Sequence, residues 1–432
     1  MRAKPEKQPQ GTFLFPDLLD QLDPKHPLLQ LAVRMPWDRF EEKFAGLYSD
    51  LGRPAKPTRL MVGLMMLKQL ENLSDERVVE VWTQNPYFQA FCGMTEFQWK
   101  LPCDPTDLVY FRKRIGEDGA RLIFEASVEL HGDDAKESEI TVDTTVQEKN
   151  ITFTTDLKPL TKVIEGCRKI AGCEGIRLRR SFRRVIPKLR MKRMKMVKKA
   201  KKMRTMVGAL IRELRRKLPS DALARHRERL DLFERVRSQK RNDKNKVYSL
   251  HEPDILCISK GKAHKQYEFG RKASVAVTKT TGVIVGAMSF NENVYDGDTL
   301  PDVLEQCWTI TETCPSVAIC ERGYRGLKQV CDTHILTPKP PKKKDTTYQR
   351  LKARQRFRRR AAIEPVISHL KHDHRMVRSY LKGALGDAIN LFMAATAFNL
   401  KKWMRKQGGC FALLIILLLG TGSKRRLAVY AA

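Results

Sequence analysis

The sequence predicts an α/β protein: a mixed sheet flanked by helices, an all-helical region before it and a basic helical insertion within it. Apolar residues recur at helical spacing between residues 37 and 130. Apolar and polar residues alternate from Ile140 to Val146, as in a half-buried strand. Short apolar runs and helical patterns then alternate over residues 246–405, after a stretch rich in Arg and Lys at residues 161–245. The predicted α/β domain is therefore formed by residues 135–160 and 246–405.

The net charge restricts the classes of partner. The chain has 432 residues, 42% of them hydrophobic, and carries a formal charge of +33. Such an excess of cations is typical of proteins that bind a polyanion, most simply nucleic acid. An anionic membrane surface is the competing partner, but no amphipathic anchor or lipidation motif supports it. None of the ten cysteines forms a C-x-x-C pair, so a structural zinc site is not indicated.

The first 130 residues read as a short irregular segment followed by helices. Residues 1–36 are rich in proline and are predicted to be irregular. Ser74 is a candidate helix N-cap, and a further helix is predicted to begin at Asp104 and Pro105. That last helix carries three adjacent cations, Arg112, Lys113 and Arg114. Helices 37–130 therefore suit a helix-turn-helix-like DNA reader, with a plain helical bundle as the equal alternative.

The predicted strand at Ile140–Val146 contains one acid, Asp143. An aspartate in a buried strand is costly unless it is paired or bound to a metal ion.

Downstream, the part of the insertion from Arg177 to Lys217 alternates cations with apolar residues at near-helical spacing. This pattern predicts helices with a cationic face, which either grips DNA phosphates or is simply solvated.

After the insertion the α/β pattern returns. Two predicted strands, Tyr267–Thr278 and Val283–Asn291, are joined by a turn and form a hairpin. A helix is predicted at Asp298–Thr311. Asp296 and Asp298 are expected to cap this helix, and assistance to a metal ion is the alternative role of the two acids. The hairpin and the helix therefore come before the next predicted strand of the sheet.

Two further acids follow at element ends. The short apolar strand Ser316–Cys320 ends directly before Glu321, and another short strand follows at His334–Thr337. Beyond a Pro- and Lys-rich linker, a basic helix contains the single acid Glu364. If this helix is continuous, four residues share one face with the acid at the centre: Phe357, Arg360, Glu364 and Lys371. One carboxylate among cations suits a site where a metal ion and a phosphodiester meet.

These stretches resemble those of bacterial insertion-sequence DDE transposases, of the family five type within the family four group. The resemblance covers about residues 56–405 and rests on five stretches: TVDTTVQEKNITF, CISKGKAHKQYEFG, YDGDTL, ERGYRG and RRRAAIEPVISHLKHDHRM. The group's helix signature is Tyr, two residues, Arg, three residues, Glu, six residues, Lys. The positions Phe357, Arg360, Glu364 and Lys371 keep that spacing, with Phe in place of Tyr.

The resemblance implies an RNase H-like fold and a site for DNA chemistry. It implies that Asp143, Glu321 and Glu364 are the catalytic acids and ligands of two Mg²⁺ (or Mn²⁺) ions. Glu321 stands where the family has Asp, which lengthens that side chain by one methylene group. It also implies that Phe357, Arg360 and Lys371 contact DNA.

The predicted function is therefore that of a DNA transposase that cuts and joins the ends of its element. The expected partners are double-stranded DNA, with terminal inverted repeats and a target, and a second copy of the chain in the DNA complex. A cytoplasmic location at the nucleoid is expected, because the apolar run in the C-terminal tail 406–432 is too short to span a membrane. Three alternatives stay open: a catalytically impaired DNA-binding relic, a basic RNase H-like nuclease, and a polycationic protein associated with RNA or ribosomes.

Overall fold

The structure is a computed structural model. It describes residues 17–49, 51–52, 54–151, 157–191, 195–240, 243, 246–259, 266–338, 346–360 and 362–419. The chain divides into two compact units. The first comprises Met1–Glu148 and Lys272–Ala432, and the second comprises Lys149–Arg271. The second unit is thus longer than the predicted insertion 161–245, and it takes in residues expected to belong to the α/β domain.

Six helices precede the sheet in the first unit. They are α1 (Pro27–Arg34), α2 (Trp37–Ala45), α3 (Thr58–Leu70), α4 (Asp75–Gln84), α5 (Pro86–Phe91) and α6 (Pro105–Glu129). Helix α1 and a 3-10 turn at Leu18–Gln21 lie in the segment 1–36, so the prediction that this segment is irregular is wrong there. Pro27 is well placed at the start of α1, because its missing N–H needs no partner in a first helical turn.

The predicted helix starts are confirmed at two positions. The hydroxyl of Ser74 accepts a hydrogen bond from the Arg77 amide at 3.1 Å, which caps α4. Asp104 caps α6 through the Thr106 amide at 2.8 Å, and Asp107 accepts in return from the Asp104 amide at 3.0 Å. Both caps occupy amide groups that a helix leaves without a partner at its first turn.

The sheet of the first unit is mixed. Its strands are β1 (Glu139–Lys149), β3 (Tyr267–Thr278), β4 (Ile284–Phe290), β5 (Val317–Ile319), β6 (Gln329–Val330), β7 (Thr333–Leu336) and β8 (Arg378–Ser379), and β2 (Leu256–Ser259) belongs to the second unit. The order runs β4, β3, β1, β5, β7, β6, with β8 also paired to β1. Strands β1, β5 and β7 are parallel, whereas β3 and β4 form the predicted antiparallel hairpin.

Strand β1 lies at the centre of this sheet and is buried on both faces. Every residue from Ile140 to Gln147 is buried. Since consecutive strand residues point to opposite faces, the expectation of a half-buried strand is wrong. Alternating threonines and apolar residues produced that expectation, and the hydroxyl-bearing face is covered as well.

One hydrophobic core unites the N-terminal helices with the sheet. It contains Phe124 of α6, Val142 of β1 and Phe392 of the long helix α14 (Gly383–Leu419). The rings of Phe124 and Phe392 lie 5.8 Å apart between centroids. Residues 37–130 therefore do not form a separately packed domain, because their apolar faces are buried against the α/β part of the chain.

The acid-bearing helix is not continuous. It consists of α12 (Thr347–Arg360) and α13 (Ile363–His372), so the expected single face is wrong: Phe357 and Arg360 lie on one helix and Glu364 and Lys371 on the next. Pro365 explains the break, because a proline inside a helix removes a backbone hydrogen bond and clashes with the preceding turn. In the first turn of α13 it does neither.

The remaining helix of the first unit is α11 (Leu300–Thr311), which packs against β4. The second unit contains α7 (Leu157–Cys173), α8 (Val185–Met191), α9 (Met196–Lys217) and α10 (Ser220–Ser238). These helices share a hydrophobic core of their own, formed by residues such as Ile164, Leu210 and Phe233.

Within the part of the chain that the structure describes, no helix combines the length and the apolar character needed to cross a membrane.

Candidate active site

The pairing of β1 with β5 aligns the two strands that lead to two of the predicted acids. The two strands are parallel, with Glu139 opposite Val317 and Thr141 opposite Ile319. Asp143 on β1 and Glu321 after β5 each follow the last paired residue of their strand by two positions. The Cys320 amide donates to the Leu336 carbonyl at 2.9 Å, so the chain remains held to β7 up to Glu321.

Another carboxylate, Asp296, contacts the strand that carries Asp143. Asp296 accepts hydrogen bonds from the Thr144 hydroxyl at 2.9 Å and from the Lys272 ammonium at 2.8 Å. The Lys272 ammonium also donates to the Val294 carbonyl at 2.6 Å. The side chain of Asp296 makes no helix-capping hydrogen bond, so the prediction that it caps the following helix is wrong. It connects the strand residue next to Asp143 with a buried cation.

Asp296 also lies against the turn that follows Glu321. A Cβ atom added to Gly323 would stand 2.8 Å from Oδ2 of Asp296, closer than such contacts normally come. Glycine at position 323 therefore allows the carboxylate and the turn to approach each other. The carboxylates of Asp143 and Asp296 both act on the buried Tyr324: burial raises the pKa of its hydroxyl, and Cys320, Asp143 and Asp296 raise it further.

Glu364 occupies the first turn of α13 and is exposed. Among the residues that the structure describes, no three His, Cys, Asp or Glu side chains are arranged to hold one metal ion. Within the described residues, Asp143, Glu321 and Glu364 therefore do not form a preformed cage for one ion. Phe357 on α12 and Lys371 in the last turn of α13 are half-buried, and the side chain of Arg360 lies outside the described part.

Of the three cations predicted on α6, one is structural. Arg112 is 5% exposed, and its guanidinium donates to both carboxylate oxygens of Asp75, at 2.9 and 2.5 Å. The Lys68 ammonium lies 2.7 Å from the same carboxylate. The assignment of Arg112 as a DNA contact is therefore wrong, because its donors are used inside the core. Lys113 and Arg114 are exposed.

The buried triad perturbs the titration of its members. Burial alone would raise the pKa of Asp75, but the hydrogen bond from Arg112 and the charge of Lys68 outweigh it and lower the pKa to about 2. Burial lowers the pKa of Lys68 to about 8, against the opposing influence of Asp75. Arg114 is placed differently, since its guanidinium lies over the ring of Tyr48 at 4.4 Å from the centroid.

The donor chemistry of Asp143 and Glu321 fits a hard divalent cation. Mg²⁺ prefers oxygen ligands and is usually held by one or two carboxylates together with phosphate oxygens of the substrate. Asp143 on β1 and Glu321, two residues after β5, are carboxylate residues of this kind. Lys272 neutralises Asp296, so that carboxylate can support the site without adding an unpaired charge.

Taken together, the strand order and the acids define a class of protein. An antiparallel hairpin beside a parallel group, with acids on adjacent central strands, is the RNase H-like arrangement of enzymes that act on nucleic-acid phosphodiesters.

Comparisons with known proteins agree with this class. Residues 16–114 match the family "Transposase domain (DUF772)", and residues 235–400 match the family "Transposase DDE domain". A Rhizobium meliloti protein named "Uncharacterized protein ORF8 in nfe locus" is 45% identical over 178 residues, which cover 40% of this chain and 86% of that protein. No solved structure gives a significant match to the chain. The chain belongs to the DDE transposases of insertion sequences.

Sequence reasoning underestimated Asp296 because its role depends on distant partners. Thr144 and Lys272 contact it from two other strands, and neither neighbours it in sequence. The only local signal was the stretch YDGDTL, in which an aspartate before a helix is more simply interpreted as a cap.

Proposed function

We propose that this DNA transposase binds the terminal inverted repeats of its element, cleaves the DNA at the element ends and joins them to target DNA. The observation that supports the proposal is the parallel pairing of β1 with β5, the two strands that lead to Asp143 and Glu321, in a chain whose residues 235–400 match a transposase DDE domain. Phosphodiester chemistry needs acids that hold metal ions and cations that hold phosphates, and this chain supplies both.

In this proposal Asp143 and Glu321 hold the divalent cations, two Mg²⁺ or Mn²⁺ ions. Bound there, the ions would activate a water or a 3′-hydroxyl and stabilise the leaving oxygen. Glu364 joins the two acids when DNA is bound, since its helix α13 is a short element separated by a break from α12. Asp296 positions β1 through Thr144 and is itself held by Lys272.

Three groups of residues are proposed to hold the DNA. Arg360 and Lys371 contact phosphates near the acids, with Phe357 beside them, as the family's helix signature implies. Lys113 and Arg114 on α6 remain candidates for recognising the element ends, because both are exposed. The exposed cations of α9 grip phosphates outside the site, and they include Lys198, Lys201, Lys202 and Arg216.

Glu321 in place of the family's aspartate is proposed to reduce activity rather than remove it. The longer side chain moves the carboxylate by about one bond length, and small misplacements of catalytic groups can cost about a hundredfold. The surrounding geometry leaves little room for compensation, because Asp296 packs against the turn at Gly323. A second copy of the chain in the DNA complex and a location at the nucleoid are parts of the same proposal.

The test is strand cleavage of a duplex that carries the element end, with a scrambled duplex as the comparison. Matched inverted repeats in the DNA flanking the gene define the end sequence. The parent protein should cut the end duplex in Mg²⁺ or Mn²⁺, and Asp143→Asn should cut at least about a hundredfold more slowly. Asp302→Asn, which removes an exposed acid of α11, is the matched control and should cut like the parent.

The other outcomes separate the alternatives. A parent that binds the end duplex but cuts it in neither metal ion would be a DNA-binding relic. A parent that cuts both duplexes equally well would be a basic nuclease. Cleavage by Asp143→Asn at the parent rate would remove Asp143 from the chemistry and with it the proposed mechanism.

A further inference from the structure

The first unit has a basic pocket that the proposed chemistry does not use. It has a volume of about 650 Å³ and lies between α13, α14 and the turn after α6. Lys401, Lys402 and Arg405 of α14 line it, together with three histidines, His131, His369 and His374. A pocket with three cations from one helix is a candidate site for an anion.

The cations of this pocket are only partly neutralised. Asp134 is engaged by Lys406 at 2.5 Å, and Asp373 by His369 at 2.7 Å. Within the described part of the chain, Lys401, Lys402 and Arg405 form no salt bridge. Cations that face a cavity without a matched carboxylate favour binding of a negatively charged ligand.

The local electrostatics point in the same direction. Burial lowers the pKa of the Lys402 ammonium, Asp134 opposes this, and the neighbouring charges of Arg405 and Lys406 lower it further. The protonated Lys402 is thus disfavoured mainly by burial, and repulsion from the neighbouring cations adds to this effect. An anion in the pocket would relieve that repulsion, because an opposite charge nearby stabilises the charged form.

The walls of the pocket are held by buried hydrogen bonds. A ring nitrogen of His131 lies 3.1 Å from the Asn399 carbonyl oxygen, and one of His374 lies 3.1 Å from the Gln69 carbonyl oxygen. The Thr281 hydroxyl donates to the Asp134 carbonyl at 2.6 Å. The pocket is therefore a built feature of the core, and binding there would require little ordering of its walls.

The pocket lies at the opposite end of β1 from Asp143. Thr281 and Asp134 adjoin the start of the strand, where the Thr281 amide donates to Glu137 at 2.6 Å. Asp143 follows Glu139 by four strand residues, a path of about 13 Å. A phosphate in this pocket would thus be a different one from the phosphodiester at Asp143, about four base pairs away along a duplex axis.

We propose that the cations of this pocket bind two or three neighbouring backbone phosphates of DNA, at a second contact region apart from the phosphodiester that is cut. The inference rests on the proposed function only in that the protein binds DNA. Lys401 and Arg405 are four residues apart on α14 and therefore share a face, so they can hold oxygens of neighbouring phosphates.

The experiment measures the affinity of the full chain for a random-sequence duplex at several salt concentrations. A triple variant, Lys401→Gln, Lys402→Gln and Arg405→Gln, is compared with a control that loses the same charge at exposed positions elsewhere. The control is Arg34→Gln, Lys43→Gln and Lys100→Gln. The slope of log affinity against log salt is negative, and in the pocket variant it should be less steep by about 2 to 3. Each lost phosphate contact removes about 0.9 from the magnitude of the slope. The control should keep the parent slope.

A single-residue variant and a thermal-melting measurement complete the experiment. Arg405→Gln alone, at an exposed position, should lower the slope by about 1 and guards against misfolding of the triple variant. Thermal melting with inorganic phosphate tests a free anion as the ligand. If the parent binds DNA and the pocket variants keep the salt slope of the parent, the inference is wrong. It is also wrong if the slopes are equal and inorganic phosphate alone raises the melting temperature of the parent. If the parent fails to bind DNA, the proposed function fails instead.

Discussion

The two compact units differ sharply in charge. The second unit, Lys149–Arg271, has 37 Lys and Arg residues against 12 Asp and Glu residues, a net charge of +25. The rest of the chain has 45 basic and 37 acidic residues, a net charge of +8. Most of the positive charge that predicted a nucleic-acid partner is therefore concentrated in the smaller unit.

The units also use their cations in different ways. The first unit buries several of them in ion pairs, as in Arg112 with Asp75 and Lys272 with Asp296. In the second unit, α9 buries Met203, Val207 and Leu210 while its charged residues remain mostly exposed. A buried cation must be paired to be tolerated, whereas an exposed run of like charges is suited to a polyanion. Charge thus supports the core in the first unit and remains exposed to solvent on α9 of the second unit.

Asp75→Asn tests most directly whether the buried cations of the first unit depend on their paired carboxylate. The change leaves Arg112 and Lys68 buried without their carboxylate, and breaking a buried pair costs about 3–5 kcal/mol. The free energy of unfolding, measured by chemical denaturation, should fall by that amount. Glu96→Gln, at an exposed position, should leave it unchanged.

Acid provides an independent check on the same triad. The pKa of Asp75 is about 2 in the folded chain, below its ordinary value of 3.8, so its ionised form stabilises the fold. That contribution is complete above pH 3.8 and is lost as the pH falls toward 2. The difference in stability between parent and Asp75→Asn should therefore narrow over this range. A constant difference would show that the charge of Asp75 is not what stabilises the core.

The second half of the comparison is tested by neutralising one face of α9. Lys198, Lys201, Lys202 and Arg216 are exposed, so their replacement by Gln leaves the apolar core of the unit intact. If all four contact phosphates, the slope of log DNA affinity against log salt should fall by about 4. Replacing four exposed acids elsewhere by Gln is the control. An unchanged slope would mean that the α9 face is simply solvated.

Gly323→Ala tests the support around the acids. The added Cβ would meet Oδ2 of Asp296 at 2.8 Å, and that carboxylate is held by Thr144 and Lys272. The displacement should slow strand cleavage by about ten- to a hundredfold. Gly46→Ala is the matched control, because no atom lies within 4 Å of the added Cβ. Equal rates for both variants would show that the turn is free to move.

The smallest effect is expected from Glu321→Asp. This change restores the side-chain length that the family has, so cleavage should rise or stay level. The parent is expected to cleave faster in Mn²⁺ than in Mg²⁺, because the longer Glu321 side chain gives less ideal ligand geometry, and Glu321→Asp should reduce that difference. The measurement compares both proteins in both metal ions on the same end duplex. A loss of cleavage would mean that the site is adapted to glutamate.

Local sequence patterns were sufficient to predict those features of the structure that are formed by local interactions. The caps at Ser74 and Asp104 involve amides within three residues, and the β3–β4 hairpin turns over a few residues. The division of the basic stretch into α12 and α13 was also within reach, since Pro365 marks a helix start. Giving weight to that proline would have prevented the prediction of a single continuous face.

The sequence by itself determined the kinds of element, the two acids at strand positions and the concentration of charge between residues 149 and 271. These follow from periodicity and composition, which a short stretch of chain contains entirely. Tertiary structure decided which acid-bearing segments are neighbours, because the pairing of β1 with β5 joins segments far apart in the chain. It also decided that Asp296 supports the site and that Arg112 is buried with Asp75, since burial and pairing depend on surfaces that form only when distant elements pack together.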